Sequence, residues 1–176
     1  MTATVIIIPV LGRPHRVAPL VANIRAATPE DHRILFVASP RDRVEQDAVR
    51  ATDADLLIMG RSPVDGDYAR KINLGYTKSK EPFMFLGADD LNFHPGWLTA
   101  ALACVTDTNC VHVVGTQDLG NPRVIRGTHA THSLVSREYI DSCGTIDENW
   151  KVLCEQYPHE WVDDEFVATA KRRGVW

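Results

Sequence analysis

The sequence predicts one α/β domain, with a mainly parallel central sheet flanked by helices and a mixed-sheet C-terminal half. Three observations carry this. Short runs of consecutive Val, Ile, Leu and Phe read as strands buried on both faces. Through the first hundred residues, these alternate with segments whose apolar residues fall at helical spacing. After that the apolar runs follow one another without full helices between them.

Thr4–Val10 is apolar and β-branched, a fully buried strand that "LGRPHR" interrupts. Val17, Leu20, Val21 and Ile24 then mark a helix over residues 17–27, ending at "ATPED". "HRILFVAS" is the second strand, and "PRDRVEQDAVRAT" a polar surface helix. "ADLLIMG" is the third strand and "RSPVDG" a loop of turn formers. Asp67 is suited to cap a helix reaching about Lys80, with Tyr68, Ile72 and Tyr76 four apart on one face. "PFMFLGA" is the fourth strand, and Pro95 opens a helix through "GWLTAALACV". "VHVVGTQD", "PRVIRGTHA" and "THSLVSREYI" read as shorter strands. A last helix covers residues 163–173.

The chain's 176 residues suffice for one domain with a real core; 44% hydrophobic and 24% charged residues are ordinary for a soluble globule. A net charge of −4 argues against non-specific nucleic-acid binding. No apolar run approaches the roughly 20 residues of a membrane span. "MTATVIIIPV" lacks a basic leader and its apolar run stops at Pro9, so no signal peptide is expected. Cys104, Cys110, Cys143 and Cys154 form no CxxC pair; reduced, mostly buried thiols in a cytoplasmic protein are expected.

The most informative stretch is "EPFMFLGADDLNFHPGWL", in which a buried strand runs into Asp89-Asp90 with no cation beside them in sequence. Ligands of open α/β sheets bind at the carboxyl ends of strands. Two carboxylates there suit Mg²⁺ or Mn²⁺ shared with substrate phosphates. The alternative is a turn that caps the helix at Pro95.

In order and spacing the sequence resembles the GT-A nucleotide-sugar glycosyltransferases, most closely glycosyltransferase family 2. "VIIIPVLGRPHRVAPLVANI" looks like that family's first strand, loop and helix. "DYARKINLGYTKSKEPFMFLGADD" is similar to its helix and metal-binding strand end, and "PGWL" follows at the expected interval. "GTIDENW" looks like its Gly-x-x-Asp-Glu turn, and "HEWVDDEFVATAKRRG" its acidic catalytic motif heading a helix. The resemblance spans nearly the whole chain. It implies a single GT-A (Rossmann-like) domain over residues 1–176, with a nucleotide-sugar-binding half (1–100) and an acceptor and catalytic-base half (101–176).

The activity so implied is inverting, hexosyltransferase-like transfer from a nucleoside-diphosphate sugar to an acceptor hydroxyl, dependent on Mn²⁺ or Mg²⁺. Donor contacts are implied at Pro9, Val10, Leu11, Arg13, Arg70, Asn73, Ala88 and Asp89. Metal ligands are implied at Asp89 and Asp90, with His132 or its neighbour His129 as a further candidate. The catalytic base is implied at Asp163, with Asp164 its competitor. The acceptor (glycan, protein, lipid or modified nucleic acid) stays open, as does the oligomeric state.

Several residues depart from the family pattern or carry a plainer reading. Gly87 stands where the family has the first Asp of Asp-x-Asp. "VASPRD" lacks the acid that usually ends the second strand, leaving Ser39, Arg41 or Asp42 to substitute. Val162 replaces the acid before the catalytic Asp. The chain stops at Trp176, shorter than most of that family, so no C-terminal acceptor or membrane module is expected. Arg70 and Lys71 either reach the diphosphate or are solvated, and Asp163 is either base or helix cap. Gly75, costly inside a helix, suggests with Asn73 close packing against the donor pocket. Trp97 and Trp161 flank the acidic motifs and either stack on a sugar or belong to the core. Two further readings compete: a sugar-phosphate nucleotidyltransferase, which would carry a glycine-rich loop after the first strand, and a degenerate, non-catalytic domain that binds a nucleotide or a protein.

Overall fold

A computed structural model describes residues 4–62, 67–106, 112–144, 150–157 and 160–176. In chain order the elements are β1 (Thr4–Val10), α1 (Val17–Ala27), β2 (His32–Ala38), α2 (Arg43–Arg50), β3 (Asp55–Ile58), α3 (Tyr68–Thr77), β4 (Phe83–Leu86), α4 (Trp97–Thr106), β5 (Val113–Gly115), α5 (Pro122–Ile125), β6 (Ser133–Ser136), α6 (Arg137–Cys143) and α7 (Val162–Arg172). A single 3-10 turn, Pro14–Arg16, leads into α1.

The six strands lie in the order β3-β2-β1-β4-β6-β5. β1 pairs in parallel with β2 and β4, and β2 with β3. β6 runs antiparallel to both β4 and β5. The sheet is thus mainly parallel with a mixed edge. The chain steps outward from β1 to β3, then returns to place β4 on the other side of β1. That reversal opens a crevice at the carboxyl ends of β1 and β4, the point where open α/β sheets take ligands.

The period-two alternation of the strands divides the core in two. Val5 and Ile7, Leu35 and Val37, and Met84 and Leu86 point to the face covered by α3, α6 and α7. Ile6, Ile8, Ile34, Phe36 and Phe85 point to the face covered by α1 and α4. No helix among the described residues is long and apolar enough to cross a membrane.

Two of the expected C-terminal strands are different elements. "PRVIRGTHA" begins with the short helix α5, because Asn121 caps it by accepting from Arg123 N at 2.9 Å and Pro122 fits its first turn. "THSLVSREYI" is strand only to Ser136, whose hydroxyl accepts from Tyr139 N and starts α6. In both places capping outweighs the β-branched run. α2, expected to be a polar surface helix, buries Glu45 and Gln46. Of the cysteines, Cys154 is buried while Cys104 and Cys143 are exposed thiols; Cys110 lies outside the described residues.

Gly75 lets α3 close on β1. A Cβ there would lie 2.5 Å from Ile7 Cγ2, inside the core and not at the donor crevice, which reassigns Gly75 from the site to packing. Overpacking costs about 1–3 kcal/mol, against roughly 1 kcal/mol gained in helix propensity. Gly75→Ala is therefore expected to lower the thermal midpoint modestly and Gly75→Val strongly. In both, any loss of ligand binding should follow the unfolded fraction.

Candidate functional site

The crevice is built from the loop after β1 and the acidic pair after β4. Gly12 turns the loop at φ 67°. Its N–H donates to Asp42 Oδ2 at 2.6 Å, and Arg13 N–H donates to Glu45 Oε2 at 2.7 Å. α2 thereby straps this loop, and Lys71 Nζ donates to Val10 O at 2.6 Å from below. Glu45 was not anticipated as a site-supporting residue. Its only signal in the sequence is its place three residues after the capping Asp42, in the capping-box pattern. Burial raises its pKa.

The cations that answer Asp89-Asp90 come from this loop. The Arg13 guanidinium pairs with Asp89 through a short contact and with Asp90 Oδ2 at 3.4 Å, and Arg16 stands 4.0 Å from Asp90. Asp89 is 3% exposed. One of its oxygens meets Arg13; the other, Oδ2, is buried without a hydrogen-bond partner. Burial raises the Asp89 pKa, with Arg13 opposing. An orphaned, buried carboxylate oxygen beside a second carboxylate fits a hard divalent cation.

Gly87, in the place of an acid, continues the sheet: its N–H donates to Ile7 O at 2.9 Å. A Cβ at Gly87 would lie 3.0 Å from that carbonyl, so any side chain there presses on β1. Pro9 and Ala88 are half-buried beside the crevice, Val10 is buried and Leu11 exposed.

His132 lines a cleft with Asp90. Its Nδ1 lies 2.9 Å from Leu86 O, a pure acceptor, so Nδ1 carries the proton and Nε2 keeps its lone pair. Burial lowers its pKa, while Asp90, Asp118 and Asp163 act in the opposite sense. Among the described residues, however, Asp89, Asp90 and His132 do not form a preassembled trio. The one set of three with ligand atoms within 4.8 Å is His129, Asp163 and Asp164.

That second cluster sits at the head of α7, whose first turn carries Asp163, Asp164 and Glu165. Buried His129 places Nε2 3.0 Å from Asp163 Oδ2. Asp164 pairs with Arg123, whose hydrogen bond depresses the Asp164 pKa. Asp163 is thus held by a histidine, and Asp164 is committed to an arginine. Asp163 and Asp90 both act electrostatically on the Tyr68 hydroxyl, which donates to Gly87 O at 3.2 Å. Tyr68 thereby joins α3 to the strand end that carries Asp89-Asp90. Trp161, just before them, has φ 69° and is 67% exposed, so it is not a core residue.

Two implied donor contacts have other work. Asn73 uses both amide hydrogens and both oxygen lone pairs on the 152–155 segment: Nδ2 donates to Leu153 O and Glu155 Oε1, and Oδ1 accepts from Val152 N and Leu153 N. It staples that segment to α3 and has no bond left for a donor. Arg70 Nε lies 3.0 Å from Asp67 Oδ2 and 3.5 Å from Glu155 Oε2, so a diphosphate would have to draw it from two carboxylates. The implied Gly-x-x-Asp-Glu turn spans residues 144–148, of which all but Gly144 lie outside the described residues.

No family model matches the chain, and no curated protein does. Solved structures do. The mannosyltransferase PcManGT from Pyrobaculum calidifontis, in complex with GDP-Man and Mn²⁺, superposes with a TM-score of 0.72 at 15% identity, over 97% of this chain and 51% of its own. Glucosyl-3-phosphoglycerate synthase from Mycobacterium tuberculosis, with Mn²⁺, UDP and phosphoglyceric acid, gives 0.71 at 12% identity, over 99% of this chain and 66% of its own. The same enzyme with Mn²⁺, UDP-glucose and glycerol 3-phosphate gives 0.70 at 13% identity, over 99% and 67%. The chain has the GT-A fold. This GT-A chain spans about half to two thirds of the length of these three structures.

Proposed function

We propose that the chain is a metal-dependent, inverting glycosyltransferase that moves a sugar from a nucleoside-diphosphate sugar to an acceptor hydroxyl. Residues 1–100 hold the donor, and residues 101–176 supply the base and the acceptor side. The observation that carries this reading is buried Asp89, with one unpartnered oxygen, at the β1–β4 reversal of a GT-A sheet. Mn²⁺ or Mg²⁺ would be held by Asp89 and Asp90, with His132 Nε2 a further candidate ligand. When bound, the cation supplies Lewis-acid charge to the leaving diphosphate.

The chain's own residues do the rest. Arg13 and Arg16, on the loop after β1, supply positive charge for the diphosphate beside Asp89 and Asp90. Asp163, oriented by His129, takes the proton of the acceptor hydroxyl as its oxygen bonds to the anomeric carbon. On the opposite face the bond from that carbon to the diphosphate oxygen breaks, and the electron pair leaves with the diphosphate.

Incubation with a panel of UDP and GDP sugars in Mn²⁺ is the test. Release of nucleoside diphosphate from at least one donor is expected, and release from none overturns the reading. One observation favours a second, non-catalytic reading: Arg13 already neutralises Asp89, as it would in a domain that binds a nucleotide without metal. The nucleotidyltransferase reading loses support, because Gly12 N–H and Arg13 N–H are bonded to α2 and cannot cradle phosphates.

A further inference from the structure

A cleft of about 690 Å³ opens beside Asp90, between α4 and the loop that follows β5. Phe85, Phe93 and Trp97 line it and pack on one another, with ring centroids 4.6–5.6 Å apart. Trp97 spends its one polar atom elsewhere, donating Nε1–H to Thr28 Oγ1 at 2.9 Å, so it offers the cleft only hydrocarbon. On the lip stands Leu119, 69% exposed, a large apolar side chain left in water.

The charge of the cleft is as informative as its apolarity. Its lining includes the carboxylates Asp90 and Asp118 and no lysine or arginine among the described residues. Asp118 is fixed in place by Gly120 N–H and the Thr131 hydroxyl. A phosphate or carboxylate brought here would meet like charge over a low-dielectric wall, because Arg13 and Arg16, the cations at Asp90, are spent on the acidic pair and do not line the cleft. An uncharged ring-bearing molecule would instead bury its apolar face on aromatic rings and turn its hydroxyls to the polar rim. Asp90 and His132 stand in the same wall, with His132 Nδ1 on Leu86 O at the end of β4, so the cleft opens directly beside the Asp89-Asp90 motif.

We propose that this cleft is the acceptor subsite, and that it takes an uncharged, hydroxylated compound with an apolar ring-bearing body in preference to a phosphorylated acid. The inference rests on the glycosyl-transfer reading for the word acceptor. The preference itself rests on the lining residues. It sets this chain apart from the structural neighbour whose bound ligands are phosphoglyceric acid and glycerol 3-phosphate.

The test is equilibrium binding to the full chain by saturation-transfer NMR and titration, without donor or metal. The probes are 4-nitrophenyl β-glucopyranoside and 3-phosphoglycerate. The aryl glucoside is expected to bind at least about tenfold more tightly, through its ring protons. Leu119→Glu alters only an exposed lip residue and should weaken the aryl glucoside about fivefold or more, while Leu119→Met should not. Equal or tighter binding of phosphoglycerate, no binding of the aryl glucoside, or indifference to Leu119→Glu would each overturn the proposal. Each of these leaves donor turnover in Mn²⁺ untouched, whereas failure of turnover with every donor removes the glycosyl-transfer reading beneath it.

Discussion

Asp163→Asn is expected to lower sugar transfer about 10²–10⁴-fold, the usual worth of a positioned general base, with donor affinity nearly unchanged. The carboxylate acts on the acceptor hydroxyl, so its loss removes transition-state stabilisation without touching the donor's nucleotide. Asp164→Asn separates base from neighbour. Its carboxylate is paired with Arg123, which depresses its pKa and makes it the poorer proton acceptor. The smaller loss is therefore expected there. Steady-state rates and donor affinity for both variants decide it. Near wild-type transfer by Asp163→Asn with loss in Asp164→Asn would move the base by one residue.

Asp89→Asn is expected to weaken metal-dependent nucleotide binding by about a hundredfold or more, since even residues behind a ligand often cost 10–100-fold. Arg13 should then lose its principal partner, and the variant should bind Mn²⁺ poorly with or without nucleotide. The same carboxylate sets an acid limit. Burial raises its pKa above the ordinary 3.8. Protons compete with metal for this oxygen pair, so affinity should fall on acidification at a higher pH than an ordinary aspartate would give. Isothermal titrations of UDP and GDP across the acid range would show this. Unchanged nucleotide affinity in Asp89→Asn with metal present would remove Asp89 from the metal site.

The parallel half of the fold was legible because its central strands β1, β2 and β4 are buried on both faces and its helices carry a clean period. β1, β2 and β4 are continuous apolar runs, and Asp42 and Asp67 cap the helices they precede. The C-terminal half was less legible. There Asn121 and Ser136 start helices inside β-branched stretches, a competition decided by side-chain capping that the apolar pattern does not record.

The site divides in the same way. Asp89, Asp90 and Asp163 stand where strand ends and a helix start put them. The partners they find across the fold were not visible: Arg13 is 76 residues from Asp89, and His129 is 34 from Asp163. Next to Asp89-Asp90 in the sequence there is therefore no cation. Asn73 and Gly75 were unusual for a helix, and the sequence marked them as special. It could not say that their task was to staple the 152–155 segment and to seat α3 on Ile7.

Calorimetric titration of UDP and GDP into the wild-type chain, in Mn²⁺ and again in EDTA, tests the central claim most directly. The account predicts binding of at least one of the two nucleotides in Mn²⁺ and its loss in EDTA, because Arg13 and Arg16, spent on Asp89 and Asp90, leave no surplus positive charge for a diphosphate without a metal ion. Equal affinity in EDTA would contradict it, leaving Arg13 and Arg16, not a metal, as the charge that receives the diphosphate.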